Sequence, residues 1–116
     1  MDTRGVDATF FIVKEMPRAR AFYDALLEQQ PDPAGDHWCE YTMSDGSTFA
    51  LGFHPSMEFK PSFGLLLGVK SLDEAKKRAE AAGGKLTGVE MGGEICKSAE
   101  VVDTEGNSLY LHERYK

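Results

Sequence analysis

Asp103-Thr104-Glu105-Gly106-Asn107-Ser108-Leu109-Tyr110-Leu111-His112-Glu113 closes the chain with a tight turn and then a run of alternating residues. Glycine takes left-handed backbone at no steric cost and asparagine bonds readily to nearby backbone, so Gly106-Asn107 reads as a structural turn. The alternation after it predicts a strand with Ser108, Tyr110 and His112 on one face. An earlier stretch matches it: Asp45-Gly46-Ser47-Thr48-Phe49-Ala50-Leu51 aligns with Glu105-Gly106-Asn107-Ser108-Leu109-Tyr110-Leu111. Further upstream, Val13 with Met16-Pro17 and Ala19 aligns with Val69, Leu72-Asp73 and Ala75. The chain is therefore an internal repeat, and that decides the fold.

Each half begins with a strand and continues into a helix. Thr9-Phe10-Phe11-Ile12-Val13 is β-branched and aromatic, and predicts a strand over about 7–14 that is buried on both faces. Met16, Ala19, Phe22, Tyr23, Leu26 and Leu27 recur at helical spacing, with Pro17 in the first turn, where proline is tolerated. Gln30 to Gly35 is loop with room for a very short strand. His37–Met43 and Thr48–His54 read as strands around Asp45-Gly46, a strong hairpin signal. His54 to Pro61, with two prolines, joins the halves. Then Phe63–Val69 predicts a strand, and Ser71-Leu72-Asp73-Glu74 a capping box opening a helix along Leu72, Ala75, Ala79 and Ala82, stopped at Gly83. Lys85–Glu90 and Glu94–Asp103 complete the strands. Two βαβββ modules, about 6–56 and 62–115 of a single domain over 1–116, predict an α+β fold. Its curved mixed sheet would wrap a cavity, with the helices on the outer face.

Composition narrows the function. The 116 residues are enough to bury a core without staples, and 41% hydrophobic with 28% charged is globular. The formal net charge of −6 repels nucleic acid, and Lys76, Lys77 and Arg78 form a solvated helix face. The longest apolar run, Phe63 to Val69, is too short to span a membrane, and Met1-Asp2-Thr3-Arg4-Gly5 has no signal-like apolar stretch, so a cytoplasmic location is expected. Cys39 and Cys96 read as free thiols. There is no Gly-rich phosphate loop, no Cys-x-x-Cys and no nucleophile elbow.

At both ends of the repeat the residues resemble the vicinal oxygen chelate superfamily: glyoxalases, extradiol dioxygenases and drug-binding proteins of the bleomycin-resistance type. The likeness covers nearly the whole chain. It rests on Glu15-Met16-Pro17-Arg18-Ala19-Arg20-Ala21-Phe22-Tyr23 and on Asp103-Thr104-Glu105-Gly106-Asn107, where the family has Asp-Pro-Asp-Gly-Asn and this chain departs at Thr104 and Glu105. The resemblance implies a homodimer, and in the family's enzymes a divalent metal held by side chains from the first and last strand of each half.

Those four slots fall here at Ala8, Ala50, near Gly64 and at Tyr110. Alanine and glycine have no donor, and a phenol with a pKa near 10 is a poor ligand. A shift in register could recruit His37, His54, His112 or Glu113. However, His112 and Glu113 point to opposite strand faces, and a His37–His54 pair across the hairpin reads as solvated strand ends. No metal, no other cofactor and no catalytic residue is expected.

Alternation then assigns the cavity wall. Phe10 and Ile12 share a face with Ala8; Leu66 goes with Gly64; Ala50 goes with His54; Tyr110 goes with His112. A two-residue hairpin turn would add Tyr41 opposite Ala50. It would put Trp38 on the other face, with Glu40, Phe49, Leu51 and Phe53; a longer turn reverses that parity. Tryptophan stacking on a planar ligand is a family habit, so Trp38 stays among the candidates. The expected function is metal-free binding of an apolar or aromatic small molecule between the modules, with resistance by sequestration as one use. The alternative is a metal-dependent lyase or dioxygenase with displaced ligands.

Overall fold

The computed structural model describes residues 1–56 and 58–115. Its elements are β1 (Thr9–Ile12), α1 (Met16–Leu27), β2 (Trp38–Thr42), β3 (Thr48–Gly52), β4 (Leu65–Gly68), α2 (Leu72–Ala81), β5 (Lys85–Gly92), β6 (Cys96–Val102) and β7 (Ser108–Arg114). An isolated bridge between Ala34 and Cys39 marks the short strand expected inside the loop after α1.

The strands form two sheets, ordered β1-β3-β2 and β4-β7-β6-β5. The repeat is exact in register. Phe11 pairs with Leu51 and Leu67 with Leu111, both in parallel; Val13 N donates to the Gly52 carbonyl as Val69 N does to that of His112. Both turns are built alike. Met43 N donates to the Ser47 carbonyl and Gly46 N to that of Met43; Asp103 N and Gly106 N repeat the pattern with Asn107 and Asp103. Gly46 and Gly106 have φ of 88° and 94°, the left-handed backbone that glycine adopts freely.

The helices lie on one face of each sheet and against each other. Met16, Ala19, Phe22, Tyr23 and Leu26 of α1 are buried with Phe11, Cys39, Tyr41, Phe49 and Leu51; Leu72, Ala75 and Ala79 of α2 with Ala99, Val101, Leu109 and Leu111. Phe22 meets Tyr23, and Phe11 meets Phe49, edge to face at 4.8 and 5.3 Å. Burying each large apolar side chain stabilises the fold by about 2 kcal/mol.

Two expectations change. β1 is buried on one face only, for Phe10 is 48% exposed while Phe11 is 2%. The hollow is also not closed within one chain: the molecule measures 43 × 37 × 24 Å, and its thinnest dimension suits one helix layer on one sheet layer. The faces away from the helices are therefore open.

The halves are tied by the closing turn. Glu105, fully buried, accepts from Lys14 N and Glu15 N at 2.8 Å each and from Arg18 Nε. Glu15 caps α1 without a side-chain hydrogen bond, so Glu105 supplies from the other half what the local sequence lacks. Asn107 Nδ2 donates to the Ile12 carbonyl, and Tyr23 Oη to Asp103 Oδ2 at 2.6 Å. In α2, by contrast, Ser71 Oγ accepts from Glu74 N as the capping box predicts, and Glu113 Oε1 accepts from Leu72 N.

Candidate functional site

The open face of the first sheet is decided by the hairpin. Thr42 pairs with Thr48, Glu40 with Ala50 and Trp38 with Gly52, so the loop is Ser44-Asp45-Gly46, one residue longer than a two-residue turn. That residue reverses the parity of β2. Trp38 and Glu40 lie on the open face with Phe10, Ile12, Ala50 and Gly52. Trp38 and Phe10 have ring centroids 5.4 Å apart. The indole lies over Gly52, where a Cβ would come 3.3 Å from it and 3.6 Å from Ile12 Cδ1. Trp38 Nε1 donates to Glu40 Oε2 at 2.7 Å.

Tyr41 is the correction that follows. It is fully buried on the helix side, stacked near Phe49, and donates to Asp24 Oδ1 at 2.6 Å. Burial first, then that hydrogen bond, raises its pKa strongly. It lines no open surface. His37 likewise does not oppose His54: its carbonyl accepts from Phe53 N. The two rings are 5.5 Å apart at the exposed strand end, and His54 Nδ1 is engaged by Ser56.

On the second sheet, Leu66, Tyr110 and His112 share the open face, Leu66 being 56% exposed. Glu100 pairs with Tyr110 and Ser98 with His112. Tyr110 Oη donates to Glu100 Oε2 at 3.0 Å and Thr87 Oγ1 to Glu100 Oε1 at 2.8 Å. The hydrogen bond to Glu100, then its charge, raises the Tyr110 pKa and keeps the phenol protonated. Glu40, Glu100 and Thr87 were missed from sequence. Glu40 was lost with the hairpin parity, although the repeat that aligns Ala50 with Tyr110 also aligns Glu40 with Glu100.

The donor set does not fit a divalent metal. Ala50 lies where a ligand would be needed, Tyr110 is held as a donor to Glu100, and among the described residues no three His, Cys, Asp or Glu side chains converge. A groove of about 810 Å³ lies between the halves, lined by Leu26, Leu67, Lys70 and Arg78 among others and reaching Leu66 and Gly68 at the edge of the second open face.

No protein-family model matches the sequence, and no curated protein does. Solved structures match over nearly the full length. A glyoxalase/bleomycin resistance protein from Albidiferax ferrireducens T118 superposes with a TM-score of 0.78 at 20% identity, covering 94% of this chain and 98% of that one. The chain has the vicinal oxygen chelate fold. A glyoxalase-related enzyme from Fulvimarina pelagi shares this fold at a TM-score of 0.76 and 17% identity, over 97% of this chain and 89% of that one. A glyoxalase/bleomycin resistance protein/dioxygenase family enzyme from Burkholderia phytofirmans PsJN gives 0.75 at 16%, over 93% and 97%. Among the described residues, no helix of this vicinal oxygen chelate fold is long and apolar enough to cross a membrane.

Proposed function

We propose that the protein is a metal-free small-molecule binder of the glyoxalase/bleomycin-resistance type, taking an apolar or aromatic ligand on the open sheet faces. The observation that carries this is the Phe10–Trp38 pair, ring centroids 5.4 Å apart and planes inclined by 56°, with the indole against Gly52: an aromatic surface where the metal donors of the fold's enzymes would stand. Such a surface stacks a planar molecule, while Glu40, Tyr110 and Glu100 offer orienting polar groups. A homodimer closes the site, one chain's open face covering the other's. Exposed Phe10, Leu66 and Met91 are the apolar residues such a contact would bury. Sequestration needs affinity and enough protein, with no catalytic step.

Thermal-shift screening of planar aromatics with and without Zn²⁺, Ni²⁺ or Mn²⁺ tests this, since a ligand that binds only the folded state raises the melting temperature by mass action. The proposal expects hits that persist in chelator. Stoichiometric metal uptake with chelator-sensitive turnover of a hemithioacetal or catechol would replace it with a lyase or dioxygenase.

A further inference from the structure

At one junction the two halves differ, and we propose that the difference makes a second ligand site: the groove between the halves takes a linear aliphatic carboxylate, separately from the open sheet faces. In the repeat, Lys70 and Ser71 stand where Lys14 and Glu15 stand in the first half, and Asp45 stands where Glu105 stands in the second. Glu105 is buried and accepts from Lys14 N and Glu15 N at 2.8 Å each. Asp45 makes no such contact. It is exposed and turned back on its own loop, accepting from Ser47 N at 2.9 Å and Ser47 Oγ at 2.6 Å. Among the described residues, no protein group accepts from Lys70 N or Ser71 N. One junction is therefore plugged by a carboxylate of the chain itself. Its counterpart is the groove of about 810 Å³, with Asp45, Lys70 and Ser71 in its wall.

That groove has the chemistry to take what its counterpart already holds. Leu27, Met43, Leu65, Leu67 and Val69 line it and are only partly buried, an aliphatic bed with water still on it. Lys70 and Arg114 lie together at one end, because Gly68 pairs with His112 and each is two residues further along its strand. Neither has an ion-pair partner among the described residues, whereas Arg78 is taken by Glu28. Two carboxylates share the wall, Asp45 engaged by Ser47 and Glu74 exposed to water. A bound carboxylate beside Lys70 and the two amides makes charge-assisted bonds, roughly twice as strong as neutral ones. Its hydrocarbon tail removes the aliphatic bed from water. Phe10, Trp38, Glu40, Glu100 and Tyr110 are absent from this wall, so an aromatic ligand on the open faces and an acid in the groove occupy different places.

Calorimetric titration near neutral pH with octanoate and with 1-octanol, two probes of one chain length, reads the head group, and amide NMR reads the place. Octanoate should bind about tenfold more tightly than 1-octanol. It should move the Lys70 and Ser71 amide signals and leave the Trp38 indole signal where it was. Lys70→Gln, checked for an unchanged melting curve, should remove most of the acid's advantage without altering Trp38 quenching by a planar aromatic. Equal affinities for acid and alcohol, no octanoate binding, or octanoate shifts confined to the surroundings of Trp38 overturn the groove as a carboxylate site. Aromatic quenching that persists in those cases leaves the metal-free binding proposal standing.

Discussion

Glu105 shows how much a single side chain can hold. Its carboxylate is fully buried, yet it satisfies two amides at the entry to α1 and meets Arg18 from the far end of the chain. Burial raises its pKa, but the bonds from Arg18 and from the amides of Glu15 and Lys14 prevail and leave it below the ordinary 4.5. A carboxylate with a lowered folded pKa stabilises the fold above its unfolded value, and that stabilisation is lost as pH falls through the folded one. Asp103 shifts the other way, because burial outweighs its bonds from Tyr23, Asn107 and Glu105; its ionisation therefore disfavours folding as pH rises past 3.8. Glu105→Gln is expected to cost about 2 kcal/mol near neutral pH, read by urea unfolding, with a smaller difference from the parent protein under acid conditions. A difference that is constant with pH would contradict the role of its charge. Nothing in the sequence around Glu105 announced this role, since its partners are some ninety residues away. At the site, Gly52→Val should displace the indole and abolish aromatic binding with little change in melting temperature, because the strand tolerates valine but Trp38 has no room.

At the scale of elements, local signals were read correctly where their partners are near in sequence. The Ser71 cap, the proline in the first turn of α1 and the Asp-Gly hairpin all depend on neighbours within a few residues. Ser71→Ala should cost about 1 kcal/mol in thermal or urea unfolding, the loss of one helix cap. The error lay in one residue of turn length. Asp-Gly suggested a two-residue turn, but the chain places Gly46 last in a longer loop, at the left-handed position. Strand parity has period two, so that residue moved Tyr41 into the core and brought Trp38 and Glu40 out to the open face. Gly46→Ala should lower stability by about 1 kcal/mol through left-handed strain, and its melting curve checks this.

For the whole molecule, the repeat made the fold legible: two copies of one strand-and-helix order dictate two sheets backed by paired helices. What the repeat could not reveal was closure. One chain is a two-layered slab with bare sheet faces, and we propose that a second copy encloses the ligand. Sedimentation should give twice the chain mass, and Leu66→Asp should give a monomer with weakened ligand binding; a monomeric parent protein would contradict the proposed closure. The central claim is that an aromatic surface has taken the place of a metal centre. Trp38 is the sole tryptophan, so its fluorescence reports that surface alone. The most direct measurement is its quenching by a planar aromatic titrant in excess chelator. Saturable quenching, unchanged when Zn²⁺ is supplied in place of the chelator, is the predicted result; quenching that appears only with metal, or none that saturates, would contradict it.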